Sequence, residues 1–310
     1  MHTPVLLKEI IEILDPKTNE NYIDATFGEG GLSFELVRYI KPDGKILAFE
    51  WDPELYQIGL KKLQKMQEKN IKLVNKNFRE IKKVVRKERF FNIKGVVFDL
   101  GISNWHYENS KRGFSFKKDE PLDMRINPKE IKIKAFDIVN YAKYEDLVYI
   151  FKNFGEEREA ENIAKEIIKK RKEKKIETSK ELSEIILKTK REKTKIHPAT
   201  KVFMALRVFL NEELENLKIA LEDSLDVLEK GGKIVIISFQ GLEDKVIKKI
   251  IKDWKRKKRI ELITKNVIRP KKEEIAKNPK SRSAKLRALK KIEWGKEKTL
   301  LFHRQFFIGR

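Results

Sequence analysis

Residues 22–52 read YIDATFGEGGLSFELVRYIKPDGKILAFEWD. An apolar lead-in meets Asp24, a glycine loop and a helix-like stretch follow, and a second apolar run ends at Glu50. A glycine turn after a first strand lets backbone approach a ligand closely, and a carboxylate ending a second strand can accept both hydroxyls of a ribose. Glu50, 19 residues after Gly31, is placed for that. The loop Gly28-Glu29-Gly30-Gly31-Leu32-Ser33 departs from the dinucleotide pattern G-x-G-x-x-G, because Ser33 replaces the third glycine. That change weakens a pyrophosphate site and argues against a nucleotide-dependent oxidoreductase. S-adenosylmethionine has no phosphate and needs only the close approach and the ribose contact, so the loop points to that cofactor.

Outward from this segment, short apolar runs alternate with amphipathic stretches up to about residue 100: NYIDA, KILAFE, IKLVN and GVVFDL, with helices predicted from about Leu32 and Pro53. Strands alternating with helices predict an α/β domain with a parallel sheet. A second block begins near Ala220, where a long helix is expected to close at Gly231-Gly232 as a C-cap before the buried strand KIVIISF. A basic amphipathic helix, LEDKVIKKIIKDWKRKKR, follows. Between the blocks apolar strand runs vanish. Ala160, Ile163, Ala164, Ile167 and Ile168 share one helix face, and Thr178 with Glu181 makes a capping box. The expected organisation is therefore a sheet domain split in two, its first segment spanning residues 1–111 and its second residues 201–310, around a helical insertion at 112–200. Within the second segment, residues 269–291 read as a mobile basic arm, and TLLFHRQFFIG at 299–309 has the apolar density of a final strand.

The 310 residues carry 71 Lys+Arg against 48 Asp+Glu, a net charge of +23 that favours an anionic partner, nucleic acid first. Heat adaptation usually raises Lys and Glu together and would not by itself leave so large an excess. The absence of cysteine excludes disulfides, thiolate metal sites and a cysteine nucleophile. No signal-peptide core or membrane-length apolar run is present, so a soluble cytoplasmic protein without membrane association is expected. Oligomeric state is left open.

In order along the chain stand HTPVLL at 2–7, DATFGEGG at 24–31, FDLGIS at 98–103, RGFSF at 112–116, PLDMR at 121–125, FGEER at 154–158, HPAT at 197–200, ALR at 205–207, SF-x-x-LED at 238–244 and NPKSRSAKLR at 278–287. This ordered set resembles the ribosomal small-subunit RNA cytosine-N4 methyltransferases, the RsmH or MraW family. The resemblance implies a class I S-adenosylmethionine-dependent methyltransferase fold, a Rossmann-like parallel sheet with a terminal antiparallel strand, carrying an all-helical substrate-binding insertion. It implies methylation of a cytosine in the decoding region of 16S ribosomal RNA within the small subunit. Carried over by position, cofactor contacts fall on Gly28, Gly30, Gly31, Leu32, Glu50, Phe78, Asp99 and His106. The family commonly has His at the position of Leu32, Asp at that of Glu50, Gln or a similar residue at that of His106, and His-Ser at that of Gln240-Gly241. Glu50 preserves ribose acceptance with a longer arm, whereas Leu32 offers backbone alone. A DNA-type amino methyltransferase is disfavoured, because Asp99 is followed by Leu-Gly-Ile-Ser rather than Pro-Pro-Tyr or Pro-Pro-Trp. A non-catalytic assembly factor remains the other alternative.

An exocyclic amine is a poor nucleophile, since its lone pair is delocalised into the ring. Acceptors that hold its two hydrogens localise that pair toward the methyl, and in-line positioning contributes roughly 7 to 11 kcal/mol. Asp99, Ser103 and Asn104, at the end of the fourth strand, are the expected catalytic residues; for Asp99 a helix N-cap is the plain alternative. Trp105 is either core or a stacking platform. Arg112 and Asp123-Met124-Arg125 fit a substrate contact and an internal ion-pair cluster equally, and Arg207 fits RNA or an internal acid. The basic runs 169–175, 255–259 and 280–291 are the candidate phosphate contacts. No metal site is expected from four scattered histidines.

Overall fold

A computed structural model describes residues 4–190 and 196–292. His2 and Thr3 of the first motif, and the strand expected at 299–309, lie outside the described residues. The chain splits into two compact units: Met1–Gly101 with Leu214–Arg310, and Ile102–Glu213.

The first unit opens with α1 (Leu7–Leu14), then alternates β1 (Asn21–Asp24), α2 (Gly31–Ile40), β2 (Ile46–Phe49), α3 (Pro53–Lys65), β3 (Ile71–Val74), α4 (Ile81–Lys87) and β4 (Ile93–Asp99). In the second unit come α5 (Asn104–Glu108), α6 (Ala135–Tyr141), α7 (Tyr144–Gly155), α8 (Ala160–Glu173), α9 (Ser179–Thr189) and α10 (Thr200–Leu210). The chain then completes the sheet with α11 (Glu213–Val227), β5 (Leu228–Ser238), α12 (Gly241–Arg256), β6 (Ile260–Leu262), α13 (Lys272–Lys277) and β7 (Lys285–Lys291).

The sheet order is β3-β2-β1-β4-β5-β7-β6; the strands from β3 to β5 pair in parallel, and β7 runs antiparallel to both its neighbours. This is the class I methyltransferase sheet. Because both faces are covered, consecutive strand residues are buried on opposite sides. Ile23, Leu47, Val96 and Ile234 join one core with Leu221 and Trp254 of α11 and α12, while Tyr22, Ile46, Val97 and Val235 join another with Leu36 and Leu63 of α2 and α3.

Two expectations for this unit are corrected. Gly231-Gly232 do not cap a helix: α11 ends at Val227, and the glycines lie in an out-of-register start of β5, where Leu228 opposes Ile93 but Lys233 opposes Gly95. Nor is 269–291 a mobile arm throughout, since Ala284, Leu286, Ala288 and Leu289 are buried in the sheet. The strand was hidden because its charged residues are internal partners. Lys285 and Arg287 reach Asp244 in the first turn of α12, at 3.4 and 2.9 Å, and the buried Lys291 ammonium donates to the carbonyls of Leu225 in the last turn of α11 and Leu228 at the start of β5.

The second unit is helical, with an isolated bridge between Pro121 and Thr178 outside the named strands. Ala160, Ile163, Ala164 and Ile167 of α8 are buried as the sequence predicts, and Thr178 and Glu181 form the expected capping box on α9. The unit begins earlier and ends later than 112–200. Val202, Phe203 and Leu206 of α10 belong to its core, and partly buried Tyr107 packs there too, so 102–111 and 201–213 go with the helices.

Candidate functional site

At the C-terminal edge of the first unit's sheet, β1 delivers Asp24, β2 leads to Glu50 and β4 ends at Asp99. Asp24 is fully buried; its carboxylate accepts from Ser33 Oγ at 2.6 Å and from Thr26 N at 3.1 Å. Ser33, read in sequence as a missing glycine, is therefore the partner that lets an acid sit beneath the loop. Burial still pushes the Asp24 carboxyl up to about 6.

The loop above it is held open by two glycines. Gly30 caps α2 at φ 84°, and a Cβ there would come within 2.6 Å of the Phe27 and Phe34 rings. Gly28, at φ 55°, meets only the Thr26 carbonyl oxygen, at 3.9 Å along its Cβ direction, so the left-handed backbone rather than crowding favours glycine there. Gly31 is the first residue of α2. The Leu32 side chain is 5% exposed within the apolar core, which leaves its backbone for any ligand contact.

Glu50 accepts from Gly28 N at 3.0 Å and from Asp52 N at 2.8 Å, so one carboxyl ties the end of β2 to the glycine loop. Asp52 in turn caps α3 by accepting from Glu54 N and Leu55 N. Burial raises the Glu50 carboxyl to about 8. Phe78, half-buried after β3, sets its ring edge-on to Phe98 at 5.8 Å. Asp99 N donates to Thr26 Oγ1 at 2.7 Å, whereas its carboxyl Oδ1 is buried without a hydrogen-bond partner among the described residues. Burial, then Asp24 and Glu243, raise that carboxyl to about 7. The Thr26 bridge spans 73 residues and has no signature in the sequence.

Ser103, Asn104 and His106 belong to the second unit. The Ser103 hydroxyl accepts from Trp105 N at 3.1 Å as the N-cap of α5, and Asn104 is the first residue of that helix. His106 is 3% exposed, its ring edge-on to Trp105 and Phe114. The Arg112 guanidinium lies 5.5 Å from the centroid of Trp105 and donates to the carbonyls of Arg125 and Ile126. Arg125 forks onto Asp123 with two 2.7 Å bonds, and Arg207 onto Glu213 at 2.8 and 3.1 Å. These arginines hold loops and an internal acid. Among the described residues no group of three or more His, Asp or Glu is arranged to hold a metal, and no helix is long and apolar enough to cross a membrane.

The sequence profile described as the MraW methylase family matches residues 1–292. The chain is similar to proteins named ribosomal RNA small subunit methyltransferase H: 38% identical over 306 residues to that of Coxiella burnetii and 41% over 305 residues to that of Persephonella marina, each time covering 94% of this chain and 99% of the relative. Among solved structures it resembles a putative methyltransferase from Streptococcus mutans in complex with SAH, at 14% identity and a TM-score of 0.48, over 94% of this chain and 100% of that one. On the profile match and on relatives of the same length at about this identity, the chain belongs to the MraW methylase family.

Proposed function

We propose that this protein transfers a methyl group from S-adenosylmethionine to small-subunit ribosomal RNA, onto the N4 amine of a cytosine in the decoding region. The names of the full-length relatives support the coarser statement. The observation that supports an amine as the acceptor is Asp99, whose carboxyl Oδ1 at the end of β4 is buried and left unmet among the described residues, while cytosine and the decoding region follow from the motif resemblance.

The residues fit the cofactor. The Gly28 N–H stands against the Glu50 carboxyl just past the end of β2, where that carboxyl would accept ribose hydroxyls, and the half-buried Phe78 ring offers apolar surface after β3. When bound, S-adenosylmethionine supplies an electrophilic methyl on a sulfonium. Asp99 takes a hydrogen of the amine and directs its lone pair toward that methyl, with Ser103 and Asn104 following along the chain as further polar groups. The Ser103 hydroxyl already accepts from Trp105 N, so its contribution adds to that N-cap role. As the N–C bond forms, the amine must lose one proton. A carboxyl raised to about 7 matches that proton near neutral pH. The helical insertion is, in this reading, the RNA-binding region.

Replacing Asp99 tests this. Asp99→Ala is expected to lower methyl transfer by roughly 100-fold or more while the fold, read by melting, is kept. Asp99→Asn, which retains an acceptor but not a base, is expected between the two. Unchanged turnover in Asp99→Ala would remove the residue from the site.

A further inference from the structure

The strand order reverses between β1 and β4. From β1 the chain runs outward to β2 and β3 on one side, and β4 and β5 are laid down on the other. The C-terminal ends of β1 and β4 therefore flank the crevice where open α/β sheets take their ligands. The pairing of these two strands changes character at that point. Asp24 opposes Val97, and Ala25 N donates to Val97 O at 2.9 Å. Asp99, two residues on, turns its N–H to the same side. By then the neighbouring chain has left, because Phe27 N donates to Phe49 O of β2 at 2.8 Å. The Thr26 hydroxyl takes the place of a strand carbonyl and accepts from Asp99 N at 2.7 Å.

Thr26 is itself held from behind. Its N–H donates to Asp24 Oδ1 at 3.1 Å, and the other oxygen of that fully buried carboxyl accepts from Ser33 Oγ at 2.6 Å. On the far side of β4, Leu100 N donates to Ile237 O at 2.9 Å. The end of β4 is thus pinned across both neighbours, by a side chain toward β1 and by backbone toward β5. A residue of the same shape as threonine but without its oxygen would leave the Asp99 N–H unmet.

The direction of a strand-end carboxyl follows from the backbone that carries it. A displacement of about 1 Å at a reacting group is enough to cost about 100-fold in rate. We infer that Thr26 is the positioning residue for Asp99: its hydroxyl bridges the β1–β4 crevice and fixes the angle at which the Asp99 carboxyl meets the target amine. This rests on Asp99 acting on that amine as proposed above. Thr26 touches no reacting atom, and no bond is made or broken at it.

A double-mutant cycle separates positioning from plain stabilisation. With the full chain, labelled S-adenosylmethionine and small ribosomal subunits lacking the modification, the single-turnover rate constant is measured at saturating cofactor and subunits. Wild type, Thr26→Val, Asp99→Ala and the double variant are compared, each normalised to saturable cofactor binding. Thr26→Val keeps the shape and loses the acceptor. It is expected to lower the rate about 10- to 100-fold, with cofactor Kd and the half-saturating subunit concentration within about twofold of wild type. Thr26→Ser, which keeps the hydroxyl, is expected to recover most of that loss. In the Asp99→Ala chain the same valine substitution is expected to change the residual rate by less than about twofold, because the group that Thr26 positions is gone. Melting curves check folding, and Thr26→Ala replaces the valine variant if that one does not fold. A wild-type rate in Thr26→Val, a loss confined to cofactor binding, a loss that serine does not recover, or a loss of equal size with and without the Asp99 carboxyl would overturn the inference and leave the role of Asp99 intact. A wild-type rate in Asp99→Ala would overturn the reading beneath it, and this inference with it.

Discussion

The Glu50 carboxyl, just past the end of β2, ties down Gly28 and Asp52 through their N–H groups, and in the proposed function it also accepts ribose hydroxyls. Glu50→Gln is expected to weaken S-adenosylmethionine binding by about 1 to 3 kcal/mol, read by calorimetry; an unchanged affinity would remove the ribose role. The same residue sets a pH dependence. Asp24, Asp99 and Glu50 rise from 3.8, 3.8 and 4.5 to about 6, 7 and 8 through burial, so the folded chain holds protons the unfolded chain has released. Their stabilisation is complete below about pH 4 and is lost as pH rises through the folded values toward 8. The ligand-free protein is expected to lose melting temperature from pH 5 to 8, and Glu50→Gln to lose less between pH 6 and 8; equal slopes would contradict this. In sequence, the places of Glu50 and Asp99 at strand ends were legible, because the apolar runs before them mark β2 and β4. The bond from Ser33 to Asp24 was not, since the loop template expects glycine there and side-chain direction has no signature in spacing.

The element that sequence reading missed is β7. Its composition is that of a solvated basic arm, yet alternation places Leu286 and Ala288 in the core and turns Lys285, Arg287 and Lys291 onto helix ends. An ammonium among carbonyls at a helix C-terminus is favoured by the dipole and satisfies orphan acceptors. Lys291→Met keeps the stem and removes the donors, so it is expected to cost about 1 to 3 kcal/mol in chemical denaturation and to leave RNA affinity unchanged. An unaltered midpoint together with weakened RNA binding would restore the arm. The paired glycines at 231–232 misled for a related reason: Gly after a helix usually caps it, but here α11 ends four residues earlier than Gly231 and the strand opens with an irregular pairing. By contrast α8 follows its apolar periodicity and α9 starts at its predicted capping box.

At the level of the whole molecule, a net charge of +23 is the strongest compositional signal, but some of the cations are engaged in internal ion pairs. Lys190 with Glu157, Arg125 with Asp123, Arg207 with Glu213, and Arg259 with Glu222 and Asp226 are such pairs. Fewer phosphates should therefore be neutralised than the excess suggests. With about six contacts, affinity for RNA is expected to fall roughly 1,000-fold between 50 and 200 mM salt, and a salt-independent affinity would contradict a phosphate-led interface. The alternation of strands and helices foretold the sheet and its helical insertion, while the limits at 102 and 213 were not legible, because α5 and α10 declare their unit only through packing. The central claim is chemical, and one measurement tests it most directly: transfer from labelled S-adenosylmethionine to small ribosomal subunits lacking the modification, followed by nucleoside mass spectrometry. The account predicts N4-methylated cytidine that maps to the decoding region. Absence of methylated product, with cofactor and subunit binding both confirmed, would contradict it and leave a binding factor in its place.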